Sequence, residues 1–210
     1  MILKKYWQLI IFIPSILLIV AVGLAKVLFQ VPIYQFMGDT SAIANIHPLS
    51  GLLSNIGVLL WCGTATICFF IAGALTPTRN YKIINFFFVS ACLSTYLLID
   101  DFFLFHEKLA PTYMGIPQDT TLLLIAIAVS FYFFWFRRII LQTQYRLIVI
   151  AAVLLAASIA ADTILKPWLL GLGEWKSLLE DGAKLLGITS WFSYYMNAAY
   201  QFLFDKFRLS

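Results

Sequence analysis

Six apolar runs, each near the ~20 residues that a bilayer core requires, divide almost the whole chain between them. They lie at roughly 7–29, 51–75, 83–105, 120–140, 147–166 and 180–204 of 210 residues. Inside lipid a segment of this kind satisfies its backbone donors and acceptors as a helix. The chain therefore reads as an all-α, polytopic integral membrane protein of about six transmembrane helices in one bundle. Charged residues make up 11% of it, against about 25% in a soluble domain. No stretch remains for a soluble domain, so residues 1–210 read as a single transmembrane helical domain.

The first run follows Lys4 and Lys5, and Ala21-Val22-Gly23 resembles a signal cleavage site. The run is longer than the ~7–15 residues of a signal-peptide apolar region. A retained first helix is the expectation.

The formal net charge of +4 raises nucleic acid as a partner, but the placement of the charge excludes it. Lys4, Lys5, Arg79, Lys82, Arg137, Arg138, Arg146, Lys206 and Arg208 fall on one side of the six runs. The acids Asp39, Asp100, Asp101, Glu107, Asp119, Asp162, Glu174, Glu180 and Asp181 fall on the other, with both histidines, His47 and His106. By the positive-inside rule the basic side is cytoplasmic and carries both termini. The partners implied are the lipid bilayer and an amphipathic small molecule or lipid. The localisation implied is multi-pass integral membrane, in a bacterial-type plasma membrane.

Cys62, Cys68 and Cys92 lie inside apolar runs and form no C-x-x-C. They read as small core residues rather than a redox motif. The connection 167–179 is too apolar for a free loop, and its Trp168 and Trp175 suit a membrane interface. A short helix lying on the surface is expected there. The aromatic block Phe131 to Phe136, beside Arg137 and Arg138, reads as an interfacial belt at the other face.

The stretch "LLIDDFFLFHEK", Leu97 to Lys108, places four ionisable groups at the end of the third run. Asp100 lies 18 residues past Lys82, or ~27 Å along a helix. Asp162, Lys26 and Lys184 fall at similar depth in the fifth, first and sixth runs. These groups converge in one layer near the extracytoplasmic edge of the bilayer core. Glu180 and Asp181 stand at the expected N-terminus of the sixth helix, where the dipole stabilises negative charge. Asp100, Asp101 and Asp162 stand near helix C-termini, where it does not. They need compensation by Lys26, Lys108, Lys166 or Lys184, by protonation, or by a bound cation.

Asp100 and Glu107, seven residues apart, would share a face of one helix. A bend near Phe105 would bring in His106. The expected metal set is therefore Asp100, Asp101, His106, Glu107 and Asp162, holding a divalent ion such as Zn, Mn, Fe or Ca. Glu180 and Asp181 would complete the shell. Lys184, also an i,i+4 partner of Glu180, would steady a developing anion. These three form the expected catalytic set.

The leading expectation is a cation-binding membrane protein, acting as a metal-dependent hydrolase or transferase on an amphipathic substrate. A non-catalytic subunit or assembly factor of a membrane complex, and a proton- or cation-coupled transporter, are the alternatives. Polar stripes on the sixth run (Ser190, Ser193, Tyr194, Asn197, Gln201) and the third (Asn85, Ser90, Ser94) read as interhelical hydrogen-bonding groups. The small residues between Ala151 and Ala161 are expected to allow close helix approach.

Overall fold

Helices account for every regular element among the described residues, which are 2–37, 40–163, 165–169, 171 and 173–208 of a computed structural model. The chain forms two compact units, Met1–Ser50 and Gly51–Ser210. In the first, α1 (Ile2–Phe29) is followed by the short helices α2 (Tyr34–Met37) and α3 (Thr40–Ala44). Gln30 stops α1 with a left-handed φ of 56°, and its side-chain amide donates back to the Val27 carbonyl at 3.2 Å.

The second unit contains α4 (Leu52–Leu75), α5 (Tyr81–Phe103), α6 (Gln118–Leu141), α7 (Tyr145–Asp162), α8 (Lys166–Leu169) and α9 (Glu174–Arg208). Four helices are long and apolar enough to cross a membrane: Leu52–Thr78, Tyr81–Phe103, Gln118–Leu141 and Tyr145–Asp162. The first of these joins α4 to a single 3₁₀ turn, Thr76–Thr78. Pro77 lies inside that turn and Arg79 follows with φ 56°, so the chain reverses into α5 within a few residues. A three-residue turn, 142–144, reverses α6 into α7 at the same end of the unit.

The core lies where α4, α5, α7 and α9 meet. Phe86, Phe87, Ala91, Ala151, Trp191, Tyr194 and Tyr195 are fully enclosed there. Small residues set the spacing. A Cβ on Gly187 of α9 would stand 2.9 Å from Leu155 Cγ and 3.2 Å from the Leu155 backbone nitrogen. α7 thus packs closely on the α9 backbone at Gly187, the close approach that a small residue permits.

The polar stripes tie helices together. Ser90 Oγ donates to the Phe86 carbonyl. The Tyr132 hydroxyl of α6 lies 2.6 Å from Ser90 Oγ, and the Tyr195 hydroxyl of α9 lies 2.7 Å from the Tyr132 hydroxyl. Tyr194 bonds Thr143 at 2.9 Å, and Ser190 donates to the Leu147 carbonyl at 3.1 Å. Buried side-chain polar atoms among the described residues all have partners, as an apolar surround demands. Of the aromatic block, Tyr132 and Phe136 are buried. Phe131, Phe134 and Trp135 are exposed, with the Arg137 guanidinium 4.5 Å above the Phe134 ring.

α6 joins this core through one half only. Tyr132, Phe136 and Ile140, near its C-terminus, are core residues. Towards its N-terminus it stands away from α7, and a cavity opens between them.

Candidate functional site

A cavity of about 420 Å³ lies between α6 and α7, reaching α5 and α9. That is within the range of small-molecule sites. Its walls follow helical spacing. Leu122, Ile125, Ala126, Val129 and Phe133 come from one face of α6, and Ala152, Leu155, Ala156 and Ile159 from one face of α7. Trp61 and Trp191 also line it, their rings edge-on at 5.6 Å. From Gln118 to Phe133 the α6 wall runs ~22 Å. That exceeds half of a ~30 Å hydrocarbon core.

The charged residues gather at the end where α5 stops and α6 begins. Asp100, Asp101, His106, Glu107, Asp162, Glu180, Asp181 and Lys184 all line the cavity. All eight residues expected at a site from the sequence are therefore brought to one place. A second cavity of about 200 Å³ shares Asp101, Glu107, Asp181 and Lys184 with the first and is otherwise lined by apolar side chains and Ser54.

The bend expected near Phe105 is present, at Leu104, so Asp100 and Glu107 do not share one continuous helix. α5 ends at Phe103, and Leu104 takes a left-handed conformation, φ 51°. This is an uncommon state for a non-glycine residue. A π-helical segment, Phe105–Met114, follows and contains Pro111. The reversal at Leu104 swings His106 back onto Asp100. The His106 backbone N–H donates to Asp100 Oδ1 at 3.1 Å, and His106 Nδ1 lies 2.6 Å from Asp100 Oδ2. The other ring nitrogen, Nε2, lies 3.6 Å from Glu107 Oε1. Burial works to lower the His106 pKa. The Asp100 hydrogen bond and charge, with the Glu107 charge, outweigh burial and the opposing Lys184 charge, and the pKa ends above its ordinary value.

Asp101 is used differently. Trp61 Nε1 donates to its Oδ2 at 2.9 Å, and Lys184 Nζ lies 2.6 Å from its Oδ1. Both carboxylates at the end of α5 thus find the compensation their helix end demands, one in an imidazole and one in an ammonium. Trp61 had no signal in the sequence; it is one aromatic residue within an apolar run.

Two expectations are corrected by the start of α9. The helix begins at Glu174 rather than near residue 180, because the segment expected to lie on the surface continues into it. α8, Lys166–Leu169, remains as a separate short helix there. Glu180 and Asp181 therefore sit nearly two turns inside α9. The dipole effect falls off within the first turn and does not account for them. The expected Glu180–Lys184 pair is also replaced. Lys184 goes to Asp101, and Glu180 takes Lys176 at 3.6 Å. Lys176 lies 3.9 Å from Asp162 as well, and Gln118 Nε2 donates to Asp162 Oδ2 at 3.4 Å. Lys176, read from the sequence as part of a connection, is thus the residue joining α7 to α9 at the cavity mouth.

The metal set does not assemble. Among the described residues, no three His, Cys, Asp or Glu side chains are placed to hold a metal ion. Asp100 and Asp101 point to different partners, and Asp162 belongs to the Lys176 group. Of the other candidate counter-charges, Lys108 is exposed on the π-helical segment and does not line the cavity. The Lys166 side chain lies outside the described residues, and Lys26 belongs to the first unit.

No curated protein and no solved structure matches this chain. A family profile does, over residues 10–198, which takes in the cavity and all of its charged mouth. The chain belongs to that family, DUF8692, a domain of unknown function.

Proposed function

We propose that this protein takes up one amphipathic molecule, tail between α6 and α7 and polar head at the charged mouth. The observation that carries this reading is the division of one cavity into two chemistries. Its walls along α6 and α7 are mainly apolar, with the hydroxyls of Ser130 and Ser158 among them, and several turns long, while its ionisable groups gather at one end. A small polar substrate has no use for such walls, and a wholly apolar one has no use for eight ionisable groups.

The membrane setting follows from the charge pattern. With six spans and the basic turns 76–82 and 137–146 in the cytoplasm, both termini are cytoplasmic. The mouth then lies at the extracytoplasmic edge of the bilayer, at the depth of lipid head groups. A chemical step on the head group, hydrolysis or transfer, would use protonated His106 as its general acid. Asp100 holds the imidazole through Nδ1 at 2.6 Å and leaves the Nε2 proton to be given up. No metal enters this reading, because the carboxylates do not converge.

A photoreactive amino acid placed at Ala156 on the cavity wall, against one at Val153 on the same helix, tests it. Val153 is 62% exposed and does not line the cavity. In lipid bilayers carrying a long-chain amphiphile, crosslinking at position 156 is expected to saturate and to fall when unlabelled amphiphile is added. Crosslinking at 153 is expected to rise without saturation. The same unsaturable behaviour at both positions would remove the proposal.

A further inference from the structure

We propose that the head group of the occupant is a cation, a long-chain ammonium, an inference that rests on the amphiphile reading above. The cavity is the site; the charges at its mouth set the sign of what it accepts. Six carboxylates line it, against two cationic side chains, Lys184 and His106. Lys184 is committed to Asp101 and His106 to Asp100. Lys176, outside the lining, is divided between Asp162 and Glu180. Among the described residues, with His106 protonated and Lys176 included, three positive charges face six carboxylates.

Asp100 and Asp101, the buried pair, are each compensated, so the unbalanced charge belongs to the more exposed Glu107, Glu180 and Asp181, and a field of that sign draws a cation to the mouth. Among the described residues, an anionic head group would find cations already held in ion pairs. A neutral one would leave the imbalance untouched. The shape of the cluster separates an organic cation from a metal ion. The carboxylates come from α5, the π-helical segment, α7 and α9, and no three close on a point. Charge spread over four segments suits a head group that meets several carboxylates at its periphery. The mainly apolar walls then take the chain, which no bare ion would use.

Three photoreactive probes sharing one long alkyl diazirine chain test the assignment, with primary ammonium, hydroxyl and sulfonate heads. Each is presented to the full chain in bilayers of zwitterionic lipid, and labelled peptides are mapped by mass spectrometry. The ammonium probe is expected to label the α6 and α7 cavity faces with roughly tenfold or greater preference over the other two. Asp181→Asn, an exposed substitution at the mouth, is expected to reduce that preference. Asp119→Asn, an acid outside the lining, is expected to leave it intact. Equal saturable labelling by all three probes overturns the cation and leaves the amphiphile reading standing. Preference for the sulfonate also overturns it. An Asp181→Asn chain that keeps the full preference overturns the role of the mouth charges. No saturable labelling by any probe overturns both readings.

Discussion

Lys184 Nζ stands 2.6 Å from Asp101 Oδ1 and fastens α9 to the end of α5 at the cavity mouth. The second Asp101 oxygen accepts from Trp61 of α4, so one carboxylate holds three helices in register. Asp101 is 8% exposed. Removing one member of such a pair leaves the other charge without its partner in a poor solvent for it. Asp101→Asn is therefore expected to destabilise the protein by about 3 kcal/mol. The double variant with Lys184→Met is expected to recover much of that loss, because the pair as a whole is worth less than either orphaned charge costs. A double-mutant cycle on thermal unfolding in detergent measures this. Strictly additive losses would contradict it.

The Asp100–His106 pair makes stability depend on pH in a definite direction. The folded His106 pKa is raised above its ordinary value, about 6.5 when unperturbed. Its contribution is thus fully present below that ordinary value and is lost as pH rises through the folded one. Melting temperature measured across neutral pH for the wild type and His106→Gln isolates it. The difference between them is expected to shrink as pH increases. A constant or growing difference would show that His106 is not held as the charged form by Asp100 and Glu107.

Two glycines of α4 and α9 meet their neighbours in different ways. At Gly187 an added Cβ faces the Leu155 side chain at 2.9 Å and the Leu155 backbone at 3.2 Å. At Gly57 it meets only Ile188 Cδ1, the far end of a flexible side chain, at 3.0 Å. Gly187→Ala must push α7 and α9 apart and is expected to cost about 1–3 kcal/mol. Gly57→Ala should be accommodated by a rotation of Ile188. Thermal denaturation of the two variants compares them directly, and equal melting temperatures would contradict the packing described here.

The helices of this fold could be read from the sequence because membrane-length apolar runs have few alternatives. The six expected runs coincide with α1, α4, α5, α6, α7 and α9, differing chiefly at their ends. The site was legible as a set of residues but not as a set of bonds. Depth follows from residue counts along helices, so Asp100, Asp162 and Lys184 could be placed at one level. Partner choice depends on backbone breaks that leave little trace in composition. Nothing in the residue type of Leu104 announces a left-handed conformation, yet that residue makes the bend that delivers His106 to Asp100. The early start of α9 was hidden by Trp175 and Lys176, which read equally well as an interfacial connection. It moved Glu180 and Asp181 away from the helix terminus and supplied Lys176 as a counter-charge. The apolar walls were invisible for a different reason. In an apolar run, a leucine that faces lipid and one that faces a cavity are the same letter.

The central claim is that the space between α6 and α7 holds a single amphipathic molecule. Native mass spectrometry of the protein purified gently from its membrane reads this most directly, for the wild type against Ala156→Trp, which fills the space from the α7 wall. The wild type is expected to retain one bound amphiphile per chain, and the folded variant to lose it. Retention of the same bound mass by a folded Ala156→Trp chain would contradict the account.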